Sequence, residues 1–237
     1  MMTVSAPTLL FAPPPIRTVA VVGTEARFPV ARIFCVGRNY VEHAKEMGAE
    51  VDREAPFYFL KDASAIVASG SALPYPAGTA DYHHEIEFVV AIGAEAVAVD
   101  AKDAMDAVFG YALGLDMTRR DLQAVAKTKG RPWDLAKNFE QSAVITPIVP
   151  AVDFGRIADQ RIELTVGETV RQMGRLSDMV WSVPELIAHL SHFYRLGPGD
   201  LIYTGTPSGV GAVRAGDRLT GTVPGLPTLE VTIVPAI

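Results

Sequence analysis

The chain has 237 residues, 49% hydrophobic and 20% charged, which is enough apolar material for a large core and excludes disorder of the chain as a whole. Its 21 Lys and Arg against 27 Asp and Glu give a formal charge of −6 with no concentrated basic stretch, which argues against nucleic acid as a partner. The single cysteine, Cys35, excludes an internal disulfide and an all-cysteine metal site, and it fits a reducing, cytoplasmic setting.

Residues 1–30 carry Pro13-Pro14-Pro15 and one short strand, Thr18 to Val22, and read as a small N-terminal segment ahead of a single domain, 31–237. The N-terminus lacks a basic region followed by an apolar core, and no apolar run approaches a membrane span. Arg32 to Val36 reads as a buried strand. After Gly37, Asn39 is placed to cap a short helix with Glu42 as its reciprocal partner, running to Met47 with Gly48 as the stop. From Glu85 to Ile92 the chain alternates, with Ile86, Phe88, Val90 and Ile92 on one face and Glu85, Glu87, Val89 and Ala91 on the other. Asp100 or Asp103 caps a helix ending near Phe109, and Tyr111 to Asp116 is a strand. Thr118 with Asp121 opens a helix that ends before Gly130. Gln160 to Val170 turns as a hairpin at Gly167-Glu168. A helix begins at Ser182, whose partner is Glu185, with Val183, Leu186, Leu190 and Phe193 on its apolar face and Gly197-Pro198-Gly199 as its end. Strands at Leu201 to Tyr203, Arg218 to Val223 and Leu229 to Val234 complete an α+β chain that is predominantly β.

Three constellations bear chemistry. Glu85 and Glu87 project from one strand face and Asp116 closes a second strand; such a set either holds a hard divalent cation or lies on a solvated sheet face. His43 and Glu46, three apart on a short helix, form either an oriented general base or a solvent-facing pair. Arg120 and Gln123, with Lys137 beyond the Gly130–Asp134 turn, could supply a local positive field for an anionic ligand or be ordinary surface groups. His83 and His84 read as structural neighbours of the carboxylates, and His189 and His192 as surface residues. Gly205–Gly211 lacks the Lys-Ser/Thr ending of a phosphate loop, and Ser208 is not in a nucleophile elbow.

In order and spacing, CVGRNYVEHAKE (35–46), PFYFLK (56–61), HHEIEFVVAIG (83–93), GYALGLDMTRRDLQ (110–123), KGRPWDLAKNFEQS (129–142) and GDLIYTGTPSGVG (199–211) resemble the fumarylacetoacetate hydrolase family, from about Ala31 to Val234. The nearest likeness is to its single-domain bacterial branch acting on acylpyruvates. The resemblance implies a mixed β-roll with short covering helices and a homodimer. It implies a divalent cation on Glu85, Glu87 and Asp116, Mg2+ first and Ca2+ or Mn2+ otherwise, and water activation by His43 and Glu46. It further implies that Lys137 stands beside the cation-bound oxygens, that Gln123 stabilises an oxyanion, and that Arg38, Arg120 and Thr206 contact substrate. Val36 stands where larger animal-type members carry a fourth acidic ligand, so a three-carboxylate site with more water is expected. The implied reaction is hydrolysis of a C–C bond in a 2,4-dioxo acid, 3-fumarylpyruvate to fumarate and pyruvate, within aromatic catabolism. Oxaloacetate decarboxylation, acetylpyruvate hydrolysis and isomerisation of a 2-oxo-diene-dioate are the alternatives on the same scaffold. Arg38, Arg120 and Arg131 are candidate partners for a second substrate carboxylate.

Overall fold

The computed structural model describes residues 9–46 and 53–236, and within them the fold is mostly β, with a curled half-barrel sheet and few helices. The largest sheet has eight strands and runs in the order Phe57–Lys61, Arg32–Gly37, Asp200–Tyr203, Ile86–Ile92, Val108–Asp116, Ala143–Ile145, Ile66–Ala68, with Val149–Pro150 also on Val108–Asp116. It is mixed: Asp200–Tyr203 runs parallel to Arg32–Gly37 and antiparallel to Ile86–Ile92. A five-stranded sheet, Thr169–Arg175, Arg161–Val166, Arg218–Thr222, Leu229–Val234 and Ala72–Pro74, covers one side. A small third sheet joins Thr118–Arg119, Tyr82–His84 and Gly211–Ala212.

The alternation read from Glu85 to Ile92 maps onto two cores. Ile86, Phe88, Val90 and Ile92 enter the larger one beneath the five-stranded sheet, with Ile162, Leu164, Leu219, Val231 and Ile233. Val89 and Ala91 enter a second one with Ile33, Cys35, Leu201 and Tyr203. Both faces of the strand are thus dry, and its two carboxylates can only sit at its end, where the sheet opens into a cavity. The hairpin of Thr18–Ala20 and Arg27–Pro29 packs Val19, Phe28 and Val30 into the second core, a strand two residues shorter than its apolar run. Cys35 is buried there as a free thiol. Among the described residues no helix is long and apolar enough to cross a membrane.

Several local expectations are corrected. The first helix is Val41–Glu46, and Asn39 does not cap it; its amide donates to the carbonyls of Trp181 and Thr204, and its oxygen accepts from the Trp181 N–H. The stop at Met47-Gly48 lies outside the described residues. Asp103 precedes a 3-10 turn, Ala104–Ala107, without capping it, and Phe109 already belongs to the following strand. Thr118 pairs in the small sheet instead of capping, so the next helix starts at Arg120 and runs to Thr128. Asp121 accepts from Thr79, Ala80 and Leu122. The Ser182–Glu185 capping box is present, and the hairpin turns at Gly167-Glu168. That last helix, Val183–Phe193, buries Val183, Leu186 and Leu190 but leaves Phe193 exposed, where its ring meets that of His189 with centroids 5.1 Å apart. His192 is exposed, whereas His189 is half-buried and stacks on Tyr58 with ring centroids 5.6 Å apart.

Candidate metal centre and active site

Antiparallel pairing of Ile86–Ile92 with Val108–Asp116 fixes the acidic cluster. The Asp116 N–H donates to the Glu85 carbonyl at 2.9 Å, so the carboxylate closing one strand meets the two that open the other. Glu85, Glu87 and Asp116 each place an oxygen within 4.8 Å of the others, and all three are buried. Three buried anions this close need cations or protons. Lys137 meets part of that need: its ammonium donates to Glu85 at 2.7 Å, Asp116 at 2.6 Å and the Thr118 hydroxyl at 2.7 Å. Arg120 donates to Glu85 and, at 2.5 Å, to the Gln123 side-chain oxygen.

Although burial opposes its charge, Glu85 is held well below the usual carboxylate range by Lys137, Arg120 and His43. Glu87 is pushed well above it by burial and by repulsion from Asp116 and Glu85. Lys137 is raised: burial acts against its charge and is outweighed by Asp116 and Glu85.

The residues fit a divalent cation on a direct observation. Asp116 Oδ1 is buried and accepts no hydrogen bond. The nearest cation is Lys61, whose ammonium lies 2.8 Å away, but its three protons go to the Met117 carbonyl, the Lys137 carbonyl and the Ser142 hydroxyl. A buried carboxylate oxygen whose one close polar neighbour is an ammonium already bonded elsewhere, within an all-oxygen set, suits coordination of a hard ion.

One cavity is lined by Arg38, His43, Glu85, Glu87, Asp116, Arg120, Gln123, Lys137 and Thr206, with Val36, Gly37, Phe59, Lys127 and Trp133 completing its wall. Nine of the eleven candidate residues named from the sequence therefore meet in one place; of the other two, Glu46 contacts His43, with an Nδ1 to Oε2 distance of 3.2 Å, and Arg131 lies outside. With a carboxylate at Nδ1, the ring carries its proton there and leaves Nε2 as the basic nitrogen. Burial pushes the imidazole below its ordinary range despite the opposing pull of Glu85 and Glu46, so His43 is neutral at neutral pH. Arg131 departs from expectation. It lines the neighbouring aromatic cleft with Phe57, Tyr58 and Leu60, on the far side of Phe59 and Trp133.

The loop Gly205–Gly209 forms the opposite wall. The Gly205 N–H donates to Glu87 at 2.8 Å, and a side chain at 205 would press on Asn39. Gln172 holds this loop to the strand Ile86–Ile92: its oxygen accepts from the Ile86 N–H and lies 2.8 Å from His84 Nδ1, while its amide donates to Thr206 and the Pro207 carbonyl. His83 lies 2.8 Å from Asp81 and His84 2.8 Å from the Gln172 oxygen, so each histidine bonds a residue outside the acidic cluster.

Sequence reading misses Lys61, Gln172 and Lys127. Lys61 had a signal, a lone charge ending the apolar run Phe57–Leu60; Gln172, in the middle of a hairpin strand, had none.

The family model of fumarylacetoacetate (FAA) hydrolase C-terminal domains matches residues 32–234. The chain is 47% identical over 193 residues to a fumarylpyruvate hydrolase of Ralstonia sp, covering 80% of this chain and 100% of that one. It is 39% identical over 199 residues to the oxaloacetate tautomerase YcgM of Escherichia coli, covering 84% and 90%. The crystal structure of fumarylpyruvate hydrolase from Pseudomonas aeruginosa in complex with Mn2+ and pyruvate superposes with a TM-score of 0.93 at 46% identity, covering 96% of this chain and 100% of that one. The chain belongs to the fumarylacetoacetate hydrolase family.

Proposed function

We propose that this chain hydrolyses the C3–C4 bond of a 2,4-dioxo acid, with 3-fumarylpyruvate as substrate and fumarate and pyruvate as products. The observation that carries the reading is a buried, cation-fitting carboxylate cluster in the same cavity as a neutral, carboxylate-oriented histidine. A Mg2+ ion, or Mn2+ or Ca2+, held by Glu85, Glu87 and Asp116 would supply Lewis acidity toward the oxo-acid end of the substrate. The Pseudomonas aeruginosa neighbour, a complex with Mn2+ and pyruvate, supports a divalent cation and an oxo acid as ligands.

The chain's own groups carry the rest. His43 Nε2 takes a proton from water as the water oxygen bonds to the C4 carbonyl carbon, and Glu46 stabilises the imidazolium that results. Gln123, through its side-chain amide, and Lys137 face the negative charge that develops. The C3–C4 bond then breaks with its electron pair moving to the pyruvate fragment as an enolate, and the proton on His43 returns to that carbon. Arg38, Arg120 and Thr206 orient the substrate carboxylates. We place the active protein as a homodimer, which light scattering in solution checks.

The test is loss of enol absorbance for fumarylpyruvate, acetylpyruvate and fumarylacetoacetate at equal enzyme and Mg2+. Fumarylpyruvate should be consumed fastest, and comparable rates for all three would overturn the assignment. A second reading, proton transfer on oxaloacetate, is favoured by the Escherichia coli relative, since His43 can move a proton without attacking water. Enol-to-keto conversion of oxaloacetate outpacing every hydrolysis would select it.

A further inference from the structure

The helix Arg120–Thr128 turns Arg120, Gln123 and Lys127 toward the cavity at i, i+3 and i+7, one face of the helix. Depth varies among the residues that line the cavity: the carboxylates and Gln123 are buried, Arg120 and Lys127 are half-buried, and Arg38 is exposed. Arg120 is committed to Glu85 and Gln123. Lys127 is not: among the described residues its contact is the Trp133 ring, with Nζ 5.2 Å from the centroid, and no carboxylate pairs with it. Arg38 likewise makes no hydrogen bond or ion pair among the described residues. Partial burial, added to the like charges of Arg120 and Arg38, brings the Lys127 ammonium down to about 8. Two cations without counter-ions thus stand at the outer end of the cavity, while three carboxylates stand at its floor.

We propose that Lys127 and Arg38 form a rim subsite for a second carboxylate, on the acyl portion of the substrate, and that Lys127 thereby sets a preference for diacids over acylpyruvates that end in an alkyl group. This rests on the 2,4-dioxo acid reading above. A substrate anchored by its oxo-acid end at the floor extends its acyl chain past Val36, Phe59 and Trp133, an apolar wall suited to a short unsaturated chain, and delivers its distal charge to the rim. The two ends of the cavity then recognise the two ends of one molecule. Arg131, on the adjoining cleft, has no part in it.

Steady-state kinetics of the Mg2+-loaded protein with fumarylpyruvate and acetylpyruvate decide the matter, comparing wild type with Lys127→Met, Lys127→Arg and Arg38→Met. Methionine keeps most of the apolar stem of Lys127 and removes its charge. A lost charge-assisted hydrogen bond should cost Lys127→Met roughly tenfold or more in kcat/KM for fumarylpyruvate, mainly through KM. The loss with acetylpyruvate should be several-fold smaller, so the ratio between substrates collapses; Lys127→Arg should restore most of it, and Arg38→Met should shift it in the same direction. Equal losses on both substrates, or an unchanged ratio in a well-folded variant, would overturn the subsite while leaving the hydrolase reading intact. A wild type that cleaves neither substrate would remove the hydrolase reading and the subsite with it.

Discussion

The Gly209 N–H donates to both carboxylate oxygens of Glu46, each at 3.1 Å, across 163 positions of sequence. Glu46 therefore fixes His43 on one side and clasps the Gly205–Gly209 loop on the other. Gly209 sits at a φ of 93°, and a methyl group there would run into the Arg171 carbonyl oxygen. Gly209→Ala should push the loop off Glu46, with backbone strain of about 1–3 kcal/mol relieved by that movement. The expected result is a kcat lower by roughly 10–100-fold as the base loses its orientation, with Mn2+ affinity by calorimetry nearly unchanged.

His43 itself should set the acid limb of the pH profile. Burial is the largest influence on its imidazole and holds it below 6.5, so kcat/KM of the cation-loaded protein should be level near neutrality and fall as pH drops below 6.5. Glu46 acts in the opposite sense, favouring the imidazolium. Glu46→Gln should therefore move the limb to still lower pH and lower the plateau, since a weaker base abstracts the proton less readily. His43→Ala should reduce turnover by about 10²–10⁴-fold and keep the cation. A limb that stays in place in Glu46→Gln would show that the two side chains are not coupled in the working protein.

Lys61 carries a different expectation, because it faces Asp116 without donating to it. In Lys61→Met the carbonyls of Met117 and Lys137 lose a donor and Asp116 loses one of the two ammonium groups beside it. Breaking a buried pair on one side costs about 3–5 kcal/mol, so the cation-free variant should melt well below wild type. A divalent ion would then replace part of the missing charge. The rise in melting temperature on adding Mn2+ should accordingly be larger in the variant than in wild type, and an equal or smaller rise would contradict this account.

What could be read from the sequence follows the range of each interaction. Ile86 to Ile92 was legible because period-two alternation is written in neighbours, and the His43–Glu46 pair because three-residue spacing is a property of one helix. Asn39 misled for the converse reason. Its local pattern matches a cap, but its partners are Trp181 and Thr204, far along the chain, and they outcompete the helix N-terminus. Thr118 misled similarly, since the Lys137 ammonium claims its hydroxyl. The acidic triad was legible as residue types, whereas its burial, and hence its demand for a cation, arises only when the strands pair. Arg131 looked equivalent to Arg120 in composition, and the Trp133 wall separates them.

Gln172 is the junction where that long-range assembly can be tested. It is fully buried, and its side chain holds the Ile86 N–H next to Glu85 while its amide donates to Thr206 on the facing loop. In Gln172→Leu each of these buried groups loses its partner at about 1–3 kcal/mol apiece, so a drop in melting temperature is expected together with weaker Mn2+ binding and a higher KM. Gln172→Glu separates shape from hydrogen bonding. As a carboxylate it still accepts from Ile86 but offers nothing to Thr206 or the Pro207 carbonyl, and it adds negative charge beside Glu85. Buried there, the new carboxyl should hold its proton more tightly folded than unfolded, so its contribution to stability is lost as pH rises through its raised folded value. The melting deficit of Gln172→Glu relative to wild type should therefore be smaller at pH about 5 than at about 8. A deficit independent of pH would mean that the loss comes from the missing donors to Thr206 and the Pro207 carbonyl alone and that a charge at this position carries no penalty.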